Sequence, residues 1–224
     1  MYRYQRRPPA GPFGGVGTSI PTTALLGQVL GITGAGFVIT AAASYLCQSV
    51  PYGAALIAML VGFGLLIGIN ATRANSALSL VLFYLFAACE GIGIAPVIMT
   101  YVRGIGPNVV VDAAATTGLG MLILGAVAWI SSFDFRRLSG IAFGLLLGLV
   151  VVGLISLFVA FIHPEVYAWA TLAVFTLLTL VDFARIKAGG DGLTPVQMAT
   201  QIYLDGINIF LALLRIFGLR SRDD

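Results

Sequence analysis

Residues 178–218 read LTLVDFARIKAGGDGLTPVQMATQIYLDGINIFLALLRIFG. Two apolar runs flank a polar, glycine-rich turn, and each run carries one aspartate, Asp182 and Asp205. Each run is about 20 residues long, enough to cross a ~30 Å hydrocarbon layer as a helix. An ionised side chain at that depth is costly and is normally turned toward protein or water. The stretch therefore predicts two antiparallel membrane helices with acids facing inward.

The rest of the chain repeats the apolar pattern. Of its 224 residues 59% are hydrophobic and 9% charged, and mean hydropathy is +1.01. Seven apolar segments are predicted to span, at 23–47, 52–71, 76–102, 109–132, 138–162, 165–186 and 195–217. Backbone groups in lipid must bond within their own segment, which makes helices the expectation. A membrane barrel would alternate in hydropathy, and GLLLGLVVVGLISLFVAFI (144–162) does not. The connections are short, so sequence neighbours should run antiparallel. The expected organisation is a tail at 1–22, one seven-helix domain at 23–217 and a polar tail at 218–224. The basic, Pro/Gly-rich start resembles the positive region of a signal peptide, but the first apolar segment is too long for one.

Orientation follows the Lys/Arg bias of the loops. The N-terminal side receives Arg3, Arg6, Arg7, Arg73, Arg136, Arg137, Arg185 and Lys187; the other receives Arg103 and the tail arginines Arg220 and Arg222. The N-terminus is expected in the cytoplasm and the protein in the cell (plasma or inner) membrane. The basic residues are scattered, which argues against a nucleic-acid surface. Cys47 and Cys89 have no metal or disulfide spacing and read as small apolar fillers.

In the last segment Gln197, Gln201, Asp205, Asn208 and Arg215 fall along one helical stripe. Such a stripe lines a cavity or makes interhelical hydrogen bonds. Asp182 lies about 7.5 Å from the start of the polar turn and Asp205 about 15 Å along its helix. The two acids could form a pair sharing a proton, or each could meet a separate cation or hydroxyl. Arg73, in the turn INATRANS, lies on the same side and could reach one of them, or serve only as a topology signal. Glu90, in LFAACEGIGIAP, is followed by Gly91, Gly93 and Pro96, which weaken the helix. It suits an ion site or a structural partner for Arg215 or Arg103. Arg215 could also snorkel to the far interface.

The segments FYLFAACEGIGIAPVI, LVDFARIKAGG and QIYLDGINIFLALLRIFG resemble the Bax inhibitor family, the transmembrane Bax-inhibitor-motif proteins and their bacterial relatives. The resemblance runs from about Arg73 to the C-terminus. It is most specific where D-x-x-R-I, a polar loop and Y-L-D-x-I-N-x-F-x-x-L-L-R-I follow one another. It implies an all-α fold of six helices around a central seventh and a pH-sensitive calcium leak. Asp182 and Asp205 match the aspartates that sense protons, and Arg73 matches the arginine that latches the closed state. Val181 and Gly206 stand where that family often has Tyr and Phe.

The expected function is thus a passive cation leak, not an enzyme. It has no cofactor, and calcium is the transported ion. Asp182 and Asp205 would offer a weak calcium site, with Glu90, Gln201, Asn208 and Arg215 as candidate lining groups. Weak binding suits conduction, because the ion must also leave. The alternative is a scaffold or regulator that binds membrane-protein partners such as a protease or a cell-death protein. An intramembrane aspartyl protease is disfavoured because Asp205 follows IYL and not Gly-x-Gly. A retinal protein is disfavoured because the only lysine, Lys187, sits in a loop.

Overall fold

A computed structural model describes residues 21–156, 158–159 and 162–223, with side chains as far as residue 221. The expected N-terminal tail, with Arg3, Arg6 and Arg7, lies outside the described residues apart from positions 21 and 22. The chain forms α1 (Thr22–Leu46), α2 (Tyr52–Ala71), α3 (Ser76–Gly104), α4 (Asn108–Ile130), α5 (Ser139–Ser156), α6 (Pro164–Lys187) and α7 (Pro195–Asp223), with one 3-10 turn at Phe135–Leu138. Among the described residues seven helical segments are long and apolar enough to cross a membrane. There is no strand among the described residues.

Local chemistry explains the boundaries. Asn75 Oδ1 accepts from Leu78 N at 3.1 Å and caps α3. Pro164 opens α6, where its missing N–H costs nothing. At the start of α7, Thr194 and Gln197 exchange bonds: Thr194 N donates to Gln197 Oε1 (3.1 Å) and Gln197 N to Thr194 Oγ1 (3.2 Å). This reciprocal box satisfies two otherwise unpaired donors. Lys187 Nζ donates to the carbonyls of Ala128 (3.3 Å) and Ser131 (2.8 Å), tying the end of α6 to the end of α4.

α7 is the most buried of the spanning helices. Of its spanning window 61% is buried, against 6% for the segment containing α5. It packs against α1, α2, α3, α4 and α6, while α5 packs mainly on α6 and the 3-10 turn. Each of three apolar clusters contains α7 residues: Met198 and Ile202 near its start, Tyr203 and Ile207 in the middle, Leu213 and Leu214 near its end. α7 also continues past the apolar segment ending at 217, through Gly218 to Asp223. Gly218 lies against Tyr101 of α3 so closely that a Cβ would not fit.

The outer surface carries exposed Val38, Leu56, Phe63, Leu122 and Phe143. Such a surface is the reverse of a soluble protein's and matches a lipid-facing exterior. Without a hydrophobic drive between helices, close approach at small residues does much of the packing. Gly91 of α3 stands against the Thr40 carbonyl and Ala43 of α1, where a Cβ would overlap backbone.

Candidate functional site

The site lies where α6 meets α7. Asp182 and Arg185 are three residues apart on α6, so they share a helix face. Arg185 Nη1 donates to Asp182 Oδ1 at 2.9 Å. The Asp182 side chain is 7% exposed and that of Arg185 is 27%, so the arginine joins a buried acid to a wetter region.

Asp205 comes from α7 and is buried. Asp182, Arg185 and Thr179 of α6 lie near enough to act on its carboxylate. Thr179 has one hydroxyl proton, and it is bonded to the Phe175 carbonyl at 2.7 Å. Asp205 Oδ2 is left buried with no hydrogen-bond partner among the described residues. A buried polar atom without a partner costs about 1–3 kcal/mol, more when charged. Such an atom is an acceptor waiting for a proton or a cation. Gly206, next in sequence, packs against Phe37 and Met121. Those two side chains fill the space that an aromatic at 206 would otherwise take.

A cavity of about 520 Å³ reaches Arg185, the partner of Asp182. Arg185 and Gln201 line it together with Asp134, Arg136 and Asp191 of the α4–α5 and α6–α7 connections. Arg136 grips both connections: Nε and Nη2 reach the two Asp134 oxygens at 2.9 and 3.0 Å, and Nη1 reaches Asp191 Oδ1 at 2.9 Å. The guanidinium holds the Asp134 carboxyl below the usual carboxylate range. Asp191 sits in a run of four left-handed residues, Gly189 (φ 95°), Gly190 (φ 93°), Asp191 (φ 49°) and Gly192 (φ 81°). Aspartate is among the few non-glycine residues that accept this conformation readily. The turn therefore requires the local sequence GGDG, which presents Asp191 to Arg136.

The other expected residues are dispersed. Arg73 is exposed at the α2–α3 turn and makes no ion pair among the described residues. The cation on Asp182 is Arg185, which spacing alone counts only as a loop-side charge. The signal for it was present as D-x-x-R. Along the α7 stripe, Gln197 is buried and donates to Asn70 Oδ1 at 3.0 Å. Gln201 is half-buried on the cavity, and Asn208 is half-buried and donates to its own helix at Leu204 O (2.8 Å). Arg215 is exposed. The stripe thus combines interhelical bonding at Gln197, cavity lining at Gln201 and a buried acid at Asp205. Glu90 is half-buried on α3.

Comparison with known proteins identifies the family. The profile of the family described as "Inhibitor of apoptosis-promoting Bax1" matches residues 22–222. An uncharacterized membrane protein of Streptococcus pyogenes serotype M3 is 30% identical over 176 residues, 75% of this chain and 73% of the relative. A membrane protein of Vibrio cholerae is 29% identical over 173 residues, 76% of this chain and 77% of its own. A Helicobacter pylori protein is 26% identical over 158 residues, covering 70% and 68%. With seven apolar helices and a match that runs from α1 into the last turn of α7, this multi-pass membrane protein belongs to the Bax inhibitor family.

Proposed function

We propose that the protein is a proton-sensitive cation leak, with calcium as the transported ion and the Asp182–Asp205 pair as its gate. The observation that carries this reading is the asymmetry of the pair. Asp182 is held by Arg185, while Asp205 keeps a buried oxygen with no donor. Two buried carboxylates within reach of each other's charge resist both being charged, so the pair responds to protons as a unit. In the closed state a proton on the pair and Arg185 balance the charge. When the proton leaves, the excess negative charge favours a state in which water or a cation reaches the pair from the cavity.

Calcium takes oxygen ligands, often six to eight. Two carboxylates with water and carbonyls make a weak site, which suits passage. The pathway works without chemical turnover and needs no cofactor. The Lys/Arg bias supports a cytoplasmic N-terminus in the cell membrane, with the cavity facing the cytoplasm.

The test is calcium flux into liposomes containing only the purified protein, at two pH values flanking neutrality. Flux that changes with pH supports the reading. No flux from folded protein would overturn it and favour a regulator acting on membrane-protein partners.

A further inference from the structure

We infer that Tyr203 and Thr40 are positioning residues of the proposed gate: with Thr33 they fix the rotation of α7, and that rotation aims Asp205 at α6. The inference rests on the leak reading for its effect on flux, and its geometry is tested separately.

Asp205 is poorly anchored by its own side chain, since Oδ2 is buried with no partner among the described residues. The charged side chains that act on it, Asp182 and Arg185, both belong to α6. Turning a helix by one residue moves a side chain about 100° around the axis. The meeting of Asp205 with α6 therefore depends on what keeps α7 from turning. In lipid no hydrophobic force between helices supplies that restraint, and close packing with interhelical hydrogen bonds does.

The restraint lies on the other side of α7. Ala199 and Tyr203 are four residues apart and share a helix face. Thr33 Oγ1 of α1 donates to the Ala199 carbonyl at 3.2 Å, and the Tyr203 hydroxyl lies 2.6 Å from Thr40 Oγ1 of α1. Thr40 Oγ1 also lies 2.9 Å from the Ala87 carbonyl of α3 and 3.0 Å from the Gly36 carbonyl of its own helix. Thr40 has one proton, which goes to a carbonyl, so Tyr203 donates to Thr40. One oxygen thus joins α1, α3 and α7, and hydrogen bonds in series strengthen one another. The Tyr203 ring is fully buried, with the rings of Phe37, Phe83 and Phe86 at 5.3, 5.4 and 5.7 Å. Asp205 follows two residues later and points about 200° away around the axis, toward α6. A further tie, from Gln197 Nε2 to Asn70 Oδ1 of α2 at 3.0 Å, lies about two turns before Asp205. α7 is therefore pinned on its α1 face close to the acid, and the pin directs the acid on the opposite face. Loss of the phenol bond frees α7 to turn, and turning carries Asp205 away from Asp182.

The test reads rotation apart from flux. In protein carrying Cys47→Ser and Cys89→Ala, the pair Thr179→Cys and Asp205→Cys reports by disulfide cross-linking whether position 205 faces α6. The cross-link should form with Tyr203 and Thr40 intact. Tyr203→Phe keeps the ring and removes the hydroxyl, and it should slow cross-linking severalfold. Thr40→Val should do the same, Thr40→Ser should stay near the parent, and Tyr203→Phe with Thr40→Val should add little to either alone. Thr117→Val is the control, because that buried hydroxyl bonds only its own helix, at the Ala113 carbonyl (2.7 Å), and it should leave cross-linking unchanged. With the native aspartates in place, Tyr203→Phe should flatten the pH dependence of calcium flux and Thr40→Ser should preserve it. If Tyr203→Phe does not fold, Thr40→Val against Thr40→Ser decides, and Thr33→Val replaces them if Thr40→Val fails as well. Unchanged cross-linking in a folded variant overturns the inference, even where the unfolding temperature falls, and so does absence of the cross-link with Tyr203 intact. Slowed cross-linking in a protein that passes no calcium would keep the restraint and remove the leak reading. Normal pH-dependent flux with unchanged cross-linking would keep the leak and remove the restraint.

Discussion

Arg185 donates to Asp182 across 2.9 Å on a single face of α6, while Asp205 on α7 faces the same cluster with Oδ2 unpaired. One acid of the pair is compensated by its own helix and the other is not. The difference makes the Asp182–Arg185 bond the part of the proposed gate most exposed to substitution.

Arg185→Ala should increase calcium flux near neutral pH by about tenfold, equivalent to about 1.4 kcal/mol. It leaves Asp182 buried without its cation, and Arg185→Lys should recover part of the closed state because it keeps the charge but loses the planar donor geometry. Arg73→Ala removes an exposed arginine with no ion pair and should change flux less than about twofold. Flux assays on matched amounts of folded protein decide between them. A large effect at Arg73 with none at Arg185 would return the latch to the α2–α3 turn.

Asp205→Asn keeps the size of the side chain and removes its titration. The variant should remain monodisperse in detergent, and its flux should be nearly flat across the pH range over which wild type changes. Persistence of the wild-type profile would place the sensor elsewhere. The double variant with Arg185→Ala should not show the two single effects added, since both act on one cluster.

The Arg136 strap responds to pH in a different window. Its hydrogen bonds lower the folded-state value of Asp134. That contribution is present above the ordinary carboxylate value of about 3.9 and is lost only as pH falls through the lower folded value. Asp134→Asn should therefore leave the shape of the flux–pH curve around neutrality unchanged. Raised ionic strength should loosen the exposed Arg136–Asp191 bond. A shifted midpoint in Asp134→Asn, read from the same liposome assay, would place the strap in the sensor.

Gly91→Ala should destabilise the bundle by about 1–3 kcal/mol, because the new methyl overlaps the Thr40 backbone and neither helix can give way cheaply. Gly27→Ala, where nothing lies within 4 Å, should be neutral or slightly stabilising. Thermal unfolding in detergent separates them. Equal unfolding temperatures would mean that the α1–α3 contact is looser than it stands here.

Seven helices could be read from the chain because hydropathy and helix length are local properties. A run such as 52–71 must span and must be helical wherever its neighbours lie, and α2 occupies the same residues. The acids of α6 and α7 could be singled out for the same reason, since burying a charge in an apolar run is costly whatever surrounds it. The partners of those acids depended on rotation and depth. A shift of one residue turns a helix by about 100°, so only packing decided that Asp205 meets α6, that Arg185 and not the exposed Arg73 holds Asp182, and that Thr179 gives its proton to Phe175. The same limit applied to the stripe of α7, where Gln197, Gln201 and Asn208 share a face in sequence but meet different neighbours. Tyr203 and Thr40 are 163 residues apart, and their hydroxyls meet only because Gly36 and Gly91 let α1, α3 and α7 close on one another.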